Sequence, residues 1–364
     1  MKKTQKTIVL ASGGTGGHMF PACVLADELI SRKYKVVLVT DERGSKLTKN
    51  FDSNVDVYVI KAKTFKKGLF SKIGALFNIG CGFLYALKIL IKIKPSALVS
   101  FGGYASFPST LAASTIKVPV VLHEQNALLG RTNRFMLPFA NKLATSFKNV
   151  SKLTKAYKKK KVFVGNPVSQ KIVKLHKNKY PEGKELNIMI TGGSQGAIIF
   201  GEVVPEAIAL LSKKERSQIT ITQQVVEKDM DSVKEFYANI GVKAEISSFF
   251  NDMDKRLKNA NLFIGRAGAL TVNEFLIVGR PAILVPLPIA MEDHQTINAG
   301  VLADGGAGWI MQQDIFTAEN LVERLKYFIK NPEVLKSAGK NAKNMAILDA
   351  GEKLADLVEG EIRK

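Results

Sequence analysis

Cysteine is scarce in this 364-residue chain, and its scarcity excludes two classes of protein. Cys23 and Cys81 are too few for a disulfide framework, and they lack the spacing of a zinc site. We therefore expect both to be buried thiols in a reducing compartment. The N-terminal MKKTQK leads at once into a strand pattern, without the apolar core and cleavage site of a signal peptide, which predicts a cytoplasmic protein.

Acidic residues are scarce in the first half of the chain. Residues 1–165 contain 28 Lys and Arg against 7 Asp and Glu, whereas residues 166–364 contain 25 of each group. Glu124 is the only acidic residue between Asp56 and Glu182. This asymmetry predicts that the first half faces a polyanion, either nucleic acid or an anionic membrane surface. Compositional drift is the alternative, but drift would affect both halves.

An uninterrupted apolar run of membrane-spanning length is also missing. The most apolar stretch, residues 73–93, is broken by Asn78, three glycines, Lys88 and Lys92, which makes it a poor membrane span. Its later part, residues 84–93, predicts a buried crossover helix. Apolar side chains among lysines also suit an interfacial patch on anionic lipid. The residues of this predicted patch are Phe65, Leu69, Phe70, Leu76, Phe77 and Phe83.

Two familiar nucleotide-binding motifs are absent. Residues 14–19 end in Met19 where the dinucleotide fingerprint needs glycine, and no Gly-Lys-Ser/Thr follows either glycine-rich loop as it would in a P-loop. A carboxylate metal site would use the Asp229/Asp231 pair or the Asp252/Asp254 pair. Both pairs lie where a helix pattern starts, a position that favours aspartate through the helix dipole, so we expect no metal.

The chain does contain one arrangement that is used twice. Residues 7–11 (TIVLA) lead into SGGTGGH at 12–18, and residues 187–191 (NIMIT) lead into GGSQGA at 192–197. Each is an apolar strand, a glycine-rich turn and a helix-forming stretch, which lets helix N–H groups point at an anion. Either loop alone is equally compatible with a tight structural turn. The repetition predicts two α/β domains that face each other across a cleft holding a phosphorylated substrate.

Strand and helix patterns alternate along the whole chain, which predicts parallel sheets with crossover helices. We expect the first helix to begin near Phe20-Pro21 and the domain boundary to lie at residues 165–167 (GNP). Residues 341–364 are expected to be helical and to pack back onto the first domain. The predicted strands are 7–11, 36–40, 56–60, 97–101, 118–123, 142–146, 162–164, 187–191, 218–222, 243–247, 261–265, 281–285 and 308–311.

His18 is the candidate catalytic residue. It lies at or just before a predicted helix N-terminus, which disfavours the imidazolium and favours a neutral imidazole that can accept a proton. A general base that activates a hydroxyl needs this property, and a hydrogen-bonded structural histidine is the alternative. Other polar clusters follow strands, at the sheet edge where α/β proteins bind ligands, and together they are typical of sugar-nucleotide chemistry. They are residues 101–104 (FGGY), 123–126 (HEQN), 265–271 (GRAGALT) with Glu274, and 292–295 (EDHQ).

Seven motifs occur in order over nearly the whole chain: GGTGGH at 13–18, FGGYAS at 101–106, HEQN at 123–126, GNP at 165–167, GGSQGA at 192–197, RAGALT at 266–271 and DHQTINA at 293–299. This series resembles the MurG family, the bacterial peptidoglycan enzymes that add N-acetylglucosamine (GlcNAc) to lipid I and so make lipid II. The resemblance implies a GT-B fold of two Rossmann-like domains, 1–165 and 166–344, with a C-terminal helix at about 345–364 that completes the first domain. It also implies an inverting transfer without metal or cofactor at the cytoplasmic membrane face.

The resemblance further implies roles for individual residues. His18 would be the base, and Asn126 would contact the GlcNAc. In the second domain, which would bind UDP-GlcNAc, Glu274 would hold the ribose and Phe250 would lie by the uracil. The remaining contacts would be Thr15, Gly16 and Gly17 near the sugar and acceptor, Ser194, Gln195, Ala269, Leu270 and Thr271 around the diphosphate, and His294 and Gln295 at the sugar hydroxyls.

The sequence departs from the family pattern at two of these places. The family often has arginine after Asn-Pro-Val, where this chain has Ser169, so a phosphate or sugar contact there would depend on Lys171. His294 stands where some members have glutamine, which makes its hydroxyl contact less secure than that of Gln295.

Two rival functions are compatible with the same patterns. Another GT-B enzyme, such as a diacylglycerol glycosyltransferase or a UDP-GlcNAc epimerase, would share the donor site, although HEQN and FGGYAS favour the MurG-like interpretation. A nucleic-acid-binding protein would use the basic half but would leave the glycine-rich loops without a purpose. The expected partners are therefore UDP-GlcNAc, lipid I and the anionic inner-membrane surface, with no nucleic acid. Association with other cell-wall or division proteins is also compatible with the sequence.

Overall fold

The computed structural model describes residues 5–60, 69–183, 185–193 and 196–362, with the main chain alone for residues 69–79 and for Met291. The chain forms two compact units. The first unit contains residues 1–169 and 347–364, and the second contains residues 170–346. Phe65, Ser194 and Gln195, for which the sequence predicts lipid or ligand contacts, lie outside the described residues.

Both units alternate strands with helices, and every predicted strand is confirmed to within two residues. The strands are β1 (Thr7–Ala11), β2 (Lys35–Thr40), β3 (Asp56–Val59), β4 (Ala97–Ser100), β5 (Val120–Glu124), β6 (Lys142–Thr145), β7 (Lys161–Phe163), β8 (Leu186–Thr191), β9 (Ile219–Gln224), β10 (Lys243–Ser247), β11 (Leu262–Gly265), β12 (Ala282–Leu284) and β13 (Gly308–Ile310). The helices are α1 (Gly16–Ser31), α2 (Glu42–Ser45), α3 (Leu69–Ile93), α4 (Gly103–Thr115), α5 (Arg131–Met136), α6 (Gln170–Val173), α7 (Ile198–Ala209), α8 (Lys213–Arg216), α9 (Met230–Asn239), α10 (Met253–Asn259), α11 (Ala269–Val278), α12 (His294–Asp304), α13 (Ala318–Lys330), α14 (Pro332–Met345) and α15 (Ala350–Glu361).

The first unit is a seven-stranded parallel sheet in the order β3-β2-β1-β4-β5-β6-β7. Its central strands are apolar on both faces because helices cover both. Along β1, Ile8 and Leu10 pack with α1 and α15, whereas Val9 and Ala11 pack with α3, α4 and α5. The strand order reverses between β1 and β4, which is where such sheets bind ligands.

The second unit is a six-stranded parallel sheet in the order β10-β9-β8-β11-β12-β13. Ile188 and Ile190 of β8 pack with α7, α9 and α13 on one face. On the other face the ring of Phe263 in β11 lies 3.9 Å from that of Phe275 in α11, measured between centroids. The reversal point of this sheet lies between β8 and β11.

Helix α3 contains the apolar stretch that the sequence singled out. In its later part Ala86, Ile89 and Leu90 are buried against the sheet, but Leu84, Tyr85 and Ile91 are exposed. Residues 84–93 thus form the predicted crossover helix, but this part of the helix is amphipathic, with only one face buried. Phe83, predicted for the lipid patch, packs partly buried against the core instead, and Cys81, predicted to be buried, is exposed.

Four further residues of the predicted patch, Leu69, Phe70, Leu76 and Phe77, lie in the part of α3 whose side chains are outside the description. Within the described residues, no helix combines the length and the apolarity that crossing a membrane requires.

The C-terminal segment is helical with a break that the sequence did not predict. Helix α14 ends at Met345 in the second unit, and α15 begins at Ala350. Leu354, Ala355 and Val358 of α15 are fully buried in the core of the first unit. Arg32 of α1 fastens this helix through ion pairs to Asp356 at 2.5 Å and Glu359 at 3.0 Å.

Candidate active site

The first glycine-rich loop joins β1 to α1 at the reversal point of the first sheet. Thr15 is the extended N-cap residue, and the main-chain N–H groups of His18 and Met19 donate to its carbonyl. Helix α1 thus begins at Gly16, so the predicted start near Phe20-Pro21 was wrong and Pro21 lies inside the helix. His18 occupies the first turn rather than the loop before it, but it remains beside the helix N-terminus.

Asp41, which the sequence analysis missed, holds this loop in place. Its side chain is 3% exposed. Its Oδ1 accepts from the main-chain N–H groups of Gly14 at 3.0 Å and Gly44 at 2.8 Å. Gly13 packs so closely that a Cβ there would lie 2.5 Å from Ala105 Cβ and 2.8 Å from Asp41 Oδ1. The only sequence signal was an aspartate directly after a buried strand.

His18 lies within a group of side chains that come from three strand ends. Its Nδ1 donates to Oε1 of Gln125 at 3.2 Å. Nε2 of Gln125 donates to the carbonyl of Phe101 at 3.0 Å and contacts Nδ1 of His123 at 3.1 Å. His123 is fully buried, and burial lowers its pKa to about 4. The structure therefore brings HEQN and FGGY together around His18, as their positions after neighbouring strands predict.

Glu124 organises the rest of the HEQN motif from the end of β5. Its Oε1 accepts from the main-chain N–H and the Nδ2 of Asn126, at 3.0 and 3.2 Å. Its Oε2 accepts from the main-chain N–H of Gly130 and from Nδ2 of Asn133, both at 2.8 Å. Four N–H donors thus satisfy a buried carboxylate, and they fix Asn126, the predicted GlcNAc contact, at the strand end.

The second glycine-rich loop leaves β8 at the reversal point of the second sheet. Gly193 and Gly196 have φ of +79° and +70°, which strongly favour glycine. A Cβ on Gly192 would lie 2.3 Å from the main-chain nitrogen of Ala197. The hydroxyl of Thr191 accepts from the main-chain N–H of Gly193 at 3.0 Å and donates to Oε1 of Gln224. Helix α7 begins just after the loop, with Ala197 as its N-cap.

The neighbouring loop after β11 leads into α11, which has Gly268 as its N-cap residue. Its first turn contains Ala269, Leu270 and Thr271, so their main-chain N–H groups lie at a helix N-terminus, as the sequence predicts. The guanidinium of Arg266 donates to the carbonyls of Val285 and Pro286 at 3.1 and 3.2 Å, and burial lowers its pKa. This arrangement is suited to an anion.

Glu274 lies on α11 just after that first turn and is partly buried. Burial raises the pKa of its carboxyl to about 7. Among the described residues, no donor bonds to it. Such a group is suited to accept hydrogen bonds from a neutral donor such as a sugar diol.

Phe250 is buried at the end of the loop after β10, with the guanidinium of Arg256 4.0 Å from the centre of its ring. Arg256 in turn makes a bidentate pair with Glu245 at 2.7 and 2.8 Å and a bond to Asp252 at 2.7 Å. One face of the Phe250 ring is thus covered by a guanidinium that is itself held by two carboxylates.

Gln295 ties two loops of the second unit together. Its Oε1 accepts from the main-chain N–H groups of Ala267 at 3.2 Å and Leu287 at 3.1 Å. In this orientation the two donors of the amide are on Nε2, on the side away from both loops' N–H groups. His294 begins α12 after Glu292 and Asp293, two non-glycine residues with φ of +55° and +58°. Left-handed conformations of this kind cost energy and cluster at functional sites.

The two candidate metal pairs lie at helix starts, as predicted. Asp229 is the N-cap residue of α9, and Asp252 is that of α10 and bonds to Arg256. In the part of the chain that the structure describes, no three His, Cys, Asp or Glu side chains converge as a metal site would require.

A groove of about 530 Å³ opens elsewhere on the second unit. It is lined by the early parts of β8, β9 and β10 and by α10, and it contains Asn187, Thr220, Lys243 and Arg256. Because it opens away from the carboxyl ends of these strands, none of the predicted site residues lines it.

Comparison with known proteins identifies the family. The profile of the glycosyltransferase family 28 N-terminal domain matches residues 8–145, and that of the family 28 C-terminal domain matches residues 187–356. The UDP-N-acetylglucosamine–N-acetylmuramyl-(pentapeptide) pyrophosphoryl-undecaprenol N-acetylglucosamine transferase of Rhodospirillum centenum is 43% identical over 356 residues, which cover 97% of this chain and 94% of the relative.

Two solved structures bear on the fold. The crystal structure of Acinetobacter baumannii MurG superposes with a TM-score of 0.80 at 33% identity, covering 98% of this chain and 99% of that one. A putative UDP-N-acetylglucosamine 2-epimerase from Listeria monocytogenes gives a TM-score of 0.69 at only 12% identity, covering 98% and 96%, and shares the fold alone. The predicted GT-B fold is confirmed, and the chain belongs to glycosyltransferase family 28 and, within it, to the MurG family of N-acetylglucosamine transferases.

Proposed function

We propose that this chain transfers GlcNAc from UDP-GlcNAc to the 4-hydroxyl of the N-acetylmuramic acid of lipid I, which yields lipid II. The observation that carries the proposal is the 43% identity with the N-acetylglucosamine transferase of Rhodospirillum centenum, which covers 97% of this chain. The geometry of the two glycine-rich loops supports it, since both leave their sheets at a reversal point.

The second unit is the better place for the UDP. The glycine-rich loop of this unit is supported by the uncharged Thr191 and Gln224, and the neighbouring loop after β11 is supported by the uncharged Gln295. The first turn of α11 together with Arg266 offers positive potential. The diphosphate would lie against this turn, at Ala269, Leu270 and Thr271, and against Ser194 and Gln195. Glu274 would then hold the ribose, Phe250 would lie by the uracil, and His294 and Gln295 would bind sugar hydroxyls.

The first unit is the better place for the acceptor. The main-chain N–H of Gly14 is already engaged by the carboxylate of Asp41, which is itself paired with Arg43, so this loop offers an anion one donor fewer. Thr15, Gly16 and Gly17 would therefore border uncharged sugar, and Asn126 would contact the GlcNAc. His18 would be the general base.

The reaction would proceed with inversion. The 4-hydroxyl oxygen bonds to the anomeric carbon of GlcNAc as its proton moves to His18, while the bond to UDP breaks on the opposite face and its electrons leave with UDP. N–H groups at the α11 N-terminus would stabilise the charge that grows on UDP, a contribution of several kcal/mol in a closed site. Proton transfer to a positioned base adds on the order of 10²–10⁴-fold.

The acceptor is a lipid, so the enzyme must reach a membrane surface. On the later part of α3 the exposed Leu84, Tyr85 and Ile91 alternate with exposed Lys88 and Lys92. Phe135 and Phe139 are also exposed, and the ring of Phe135 packs 5.5 Å from Phe107 on α4, next to α3. We propose that this apolar and basic surface binds anionic lipid peripherally at the cytoplasmic face.

Transfer of radiolabelled GlcNAc from UDP-GlcNAc to a lipid I analogue, with EDTA present, tests the function. Formation of labelled lipid II in EDTA would support UDP-GlcNAc as the donor, lipid I as the acceptor and a reaction that needs no metal. Binding of UDP-GlcNAc without product would instead point to another acceptor or to an epimerase, and absence of both would reject the proposal. His18→Gln should reduce kcat by about 100-fold or more with little change in UDP-GlcNAc affinity.

Co-sedimentation with phosphatidylglycerol vesicles tests the membrane surface. Leu84→Ser combined with Ile91→Ser should weaken binding at least several-fold, because both side chains would leave the lipid. Leu210→Ser, at a similarly exposed position in the second unit, is the matched control and should bind as wild type does. Equal binding by all three proteins would contradict the assignment of this surface.

A further inference from the structure

A continuous series of hydrogen bonds runs from a buried carbonyl to His18. Nε2 of His123 lies 3.4 Å from the carbonyl oxygen of Gly165, and its Nδ1 lies 3.1 Å from Nε2 of Gln125. Oε1 of Gln125 lies 3.2 Å from Nδ1 of His18. His123 is fully buried and Gln125 is 3% exposed, so bulk water does not compete for these bonds.

The main-chain carbonyls of Gly165 and Phe101 determine which nitrogens of this series carry protons. A carbonyl can only accept, so the amide of Gln125 must turn Nε2 toward Phe101, which it contacts at 3.0 Å. The second N–H of this amide then donates to Nδ1 of His123, which must be unprotonated. The proton of His123 therefore lies on Nε2, facing Gly165. Burial keeps the pKa of His123 at about 4, so this imidazole stays neutral near pH 7.

The same orientation leaves Gln125 with only one way to meet His18. Its Oε1 is an acceptor, so Nδ1 of His18 must carry a proton. The opposite tautomer would place two acceptors 3.2 Å apart. Nε2 of a neutral His18 then holds the lone pair. Gly103, which has no side chain, borders this nitrogen, and a Cβ there would lie 3.5 Å from it.

We propose that Gln125 is a positioning residue that holds His18 in the Nδ1–H tautomer, with Nε2 ready to take the proton of the acceptor hydroxyl. The inference rests on the proposed role of His18 as the base. When Nε2 takes the proton, the imidazolium keeps its bond to Oε1 of Gln125, and the proton returns to solvent after UDP departs. His123 takes part only by fixing the amide of Gln125.

The tautomer can be measured without any turnover. In protein labelled with ¹⁵N at its four histidines, two-bond ¹H–¹⁵N spectra distinguish protonated from unprotonated ring nitrogens, and His18→Gln assigns the signals of His18. We expect an unprotonated Nε2 in His18 and an unprotonated Nδ1 in His123 at pH 8. A protonated Nε2 in neutral His18 would overturn the inference, whatever the enzyme transfers.

Kinetics of two variants separate positioning from packing. Gln125→Met keeps the volume but not the acceptor, so kcat should fall at least 100-fold with the KM for UDP-GlcNAc within twofold of wild type; a reversed tautomer in a serine protease triad costs about 10⁴-fold.

Gln223→Met is the matched control, because Gln223 is an equally buried amide in the second unit, bonded to Phe200 and Tyr237. It should lose stability but keep kcat per folded molecule. Full activity in Gln125→Met would show that Gln125 only fills space and would overturn the inference.

Discussion

Replacing Glu274 by Gln should stabilise the second unit above pH 7 and leave its stability unchanged near pH 4. The carboxyl pKa is raised by burial from its ordinary 4.5 to about 7, so folding favours the protonated form. The contribution of the protonated Glu274 carboxyl to the free energy of unfolding is therefore fully present below pH 4.5, and it is lost as the pH rises through 7. Gln mimics the protonated carboxyl and does not titrate, so the variant avoids this loss.

The size of the effect follows from the pKa. A shift from 4.5 to about 7 corresponds to about 3 kcal/mol of unfolding free energy once the group is ionised. Because Glu274 is only partly buried, solvent screening reduces this figure, and we expect a gain of about 1–2 kcal/mol at pH 8. UDP should bind about tenfold more weakly to the variant, since an ionised carboxylate accepts stronger hydrogen bonds from a diol than an amide does.

The assay is urea unfolding followed by tryptophan fluorescence at pH 4 and pH 8. Trp309 is the single tryptophan of the chain, and it lies in β13 with its ring 4.5 Å from Phe328, so it reports on the second unit. Glu245→Gln is the matched control of opposite sign, because the hydrogen bond from Arg256 lowers the pKa of Glu245. That variant should lose stability at pH 8. A gain for Glu274→Gln that is equal at both pH values would refute the reasoning.

Three further predictions concern the supports of the two sites. Asp41→Ala should destabilise the first unit by about 2–3 kcal/mol and lower kcat without changing UDP affinity, because the N–H groups of Gly14 and Gly44 lose their acceptor; Asp41→Asn, which keeps an acceptor oxygen, should lose less in urea unfolding and in the transfer assay. Gly103→Ala should cost about 1–2 kcal/mol in thermal unfolding, because φ there is +75°, and should reduce kcat, because the methyl would lie in contact with Nε2 of His18 at 3.5 Å. Arg280→Met should destabilise the second unit by roughly 3 kcal/mol in urea, because four main-chain carbonyls lose the buried guanidinium, while UDP affinity measured by calorimetry on the folded protein should stay within twofold.

Local patterns in the sequence were sufficient for the framework. The central strands are short runs rich in Val, Ile and Leu between turn residues, which is what a parallel sheet buried on both faces requires, and this made their positions predictable. Because the carboxyl ends of parallel strands share one edge, it followed that the loops after β1, β4, β8 and β11 would lie near the ligands.

Contacts that depend on the folded chain could not be predicted in the same way. Nothing local marks Asp41 as the acceptor for Gly14, which lies 27 residues away, or Gln125 as the partner of His18, which lies 107 residues away. The start of α1 was misplaced because glycine is a poor helix former, which argues against a helix that begins with two glycines. In the structure Thr15 is the N-cap residue, and Gly16 and Gly17 lie in the first turn. Burial along α3 depends on which of its faces the sheet covers.

A double-mutant cycle between His18 and Gln125 gives the sharpest test of how the first site works. If Gln125 acts only by setting the tautomer of His18, then Gln125→Met should cost at least 100-fold in kcat in the wild-type enzyme but less than threefold in the His18→Gln variant, which has no tautomer to set. A merely structural Gln125 would instead lower kcat by the same factor in both backgrounds, because a displaced strand end at β5 would disturb Asn126 and the acceptor site whether or not His18 is present. The ratio of the two effects therefore measures how much of the role of Gln125 passes through the 3.2 Å bond to His18.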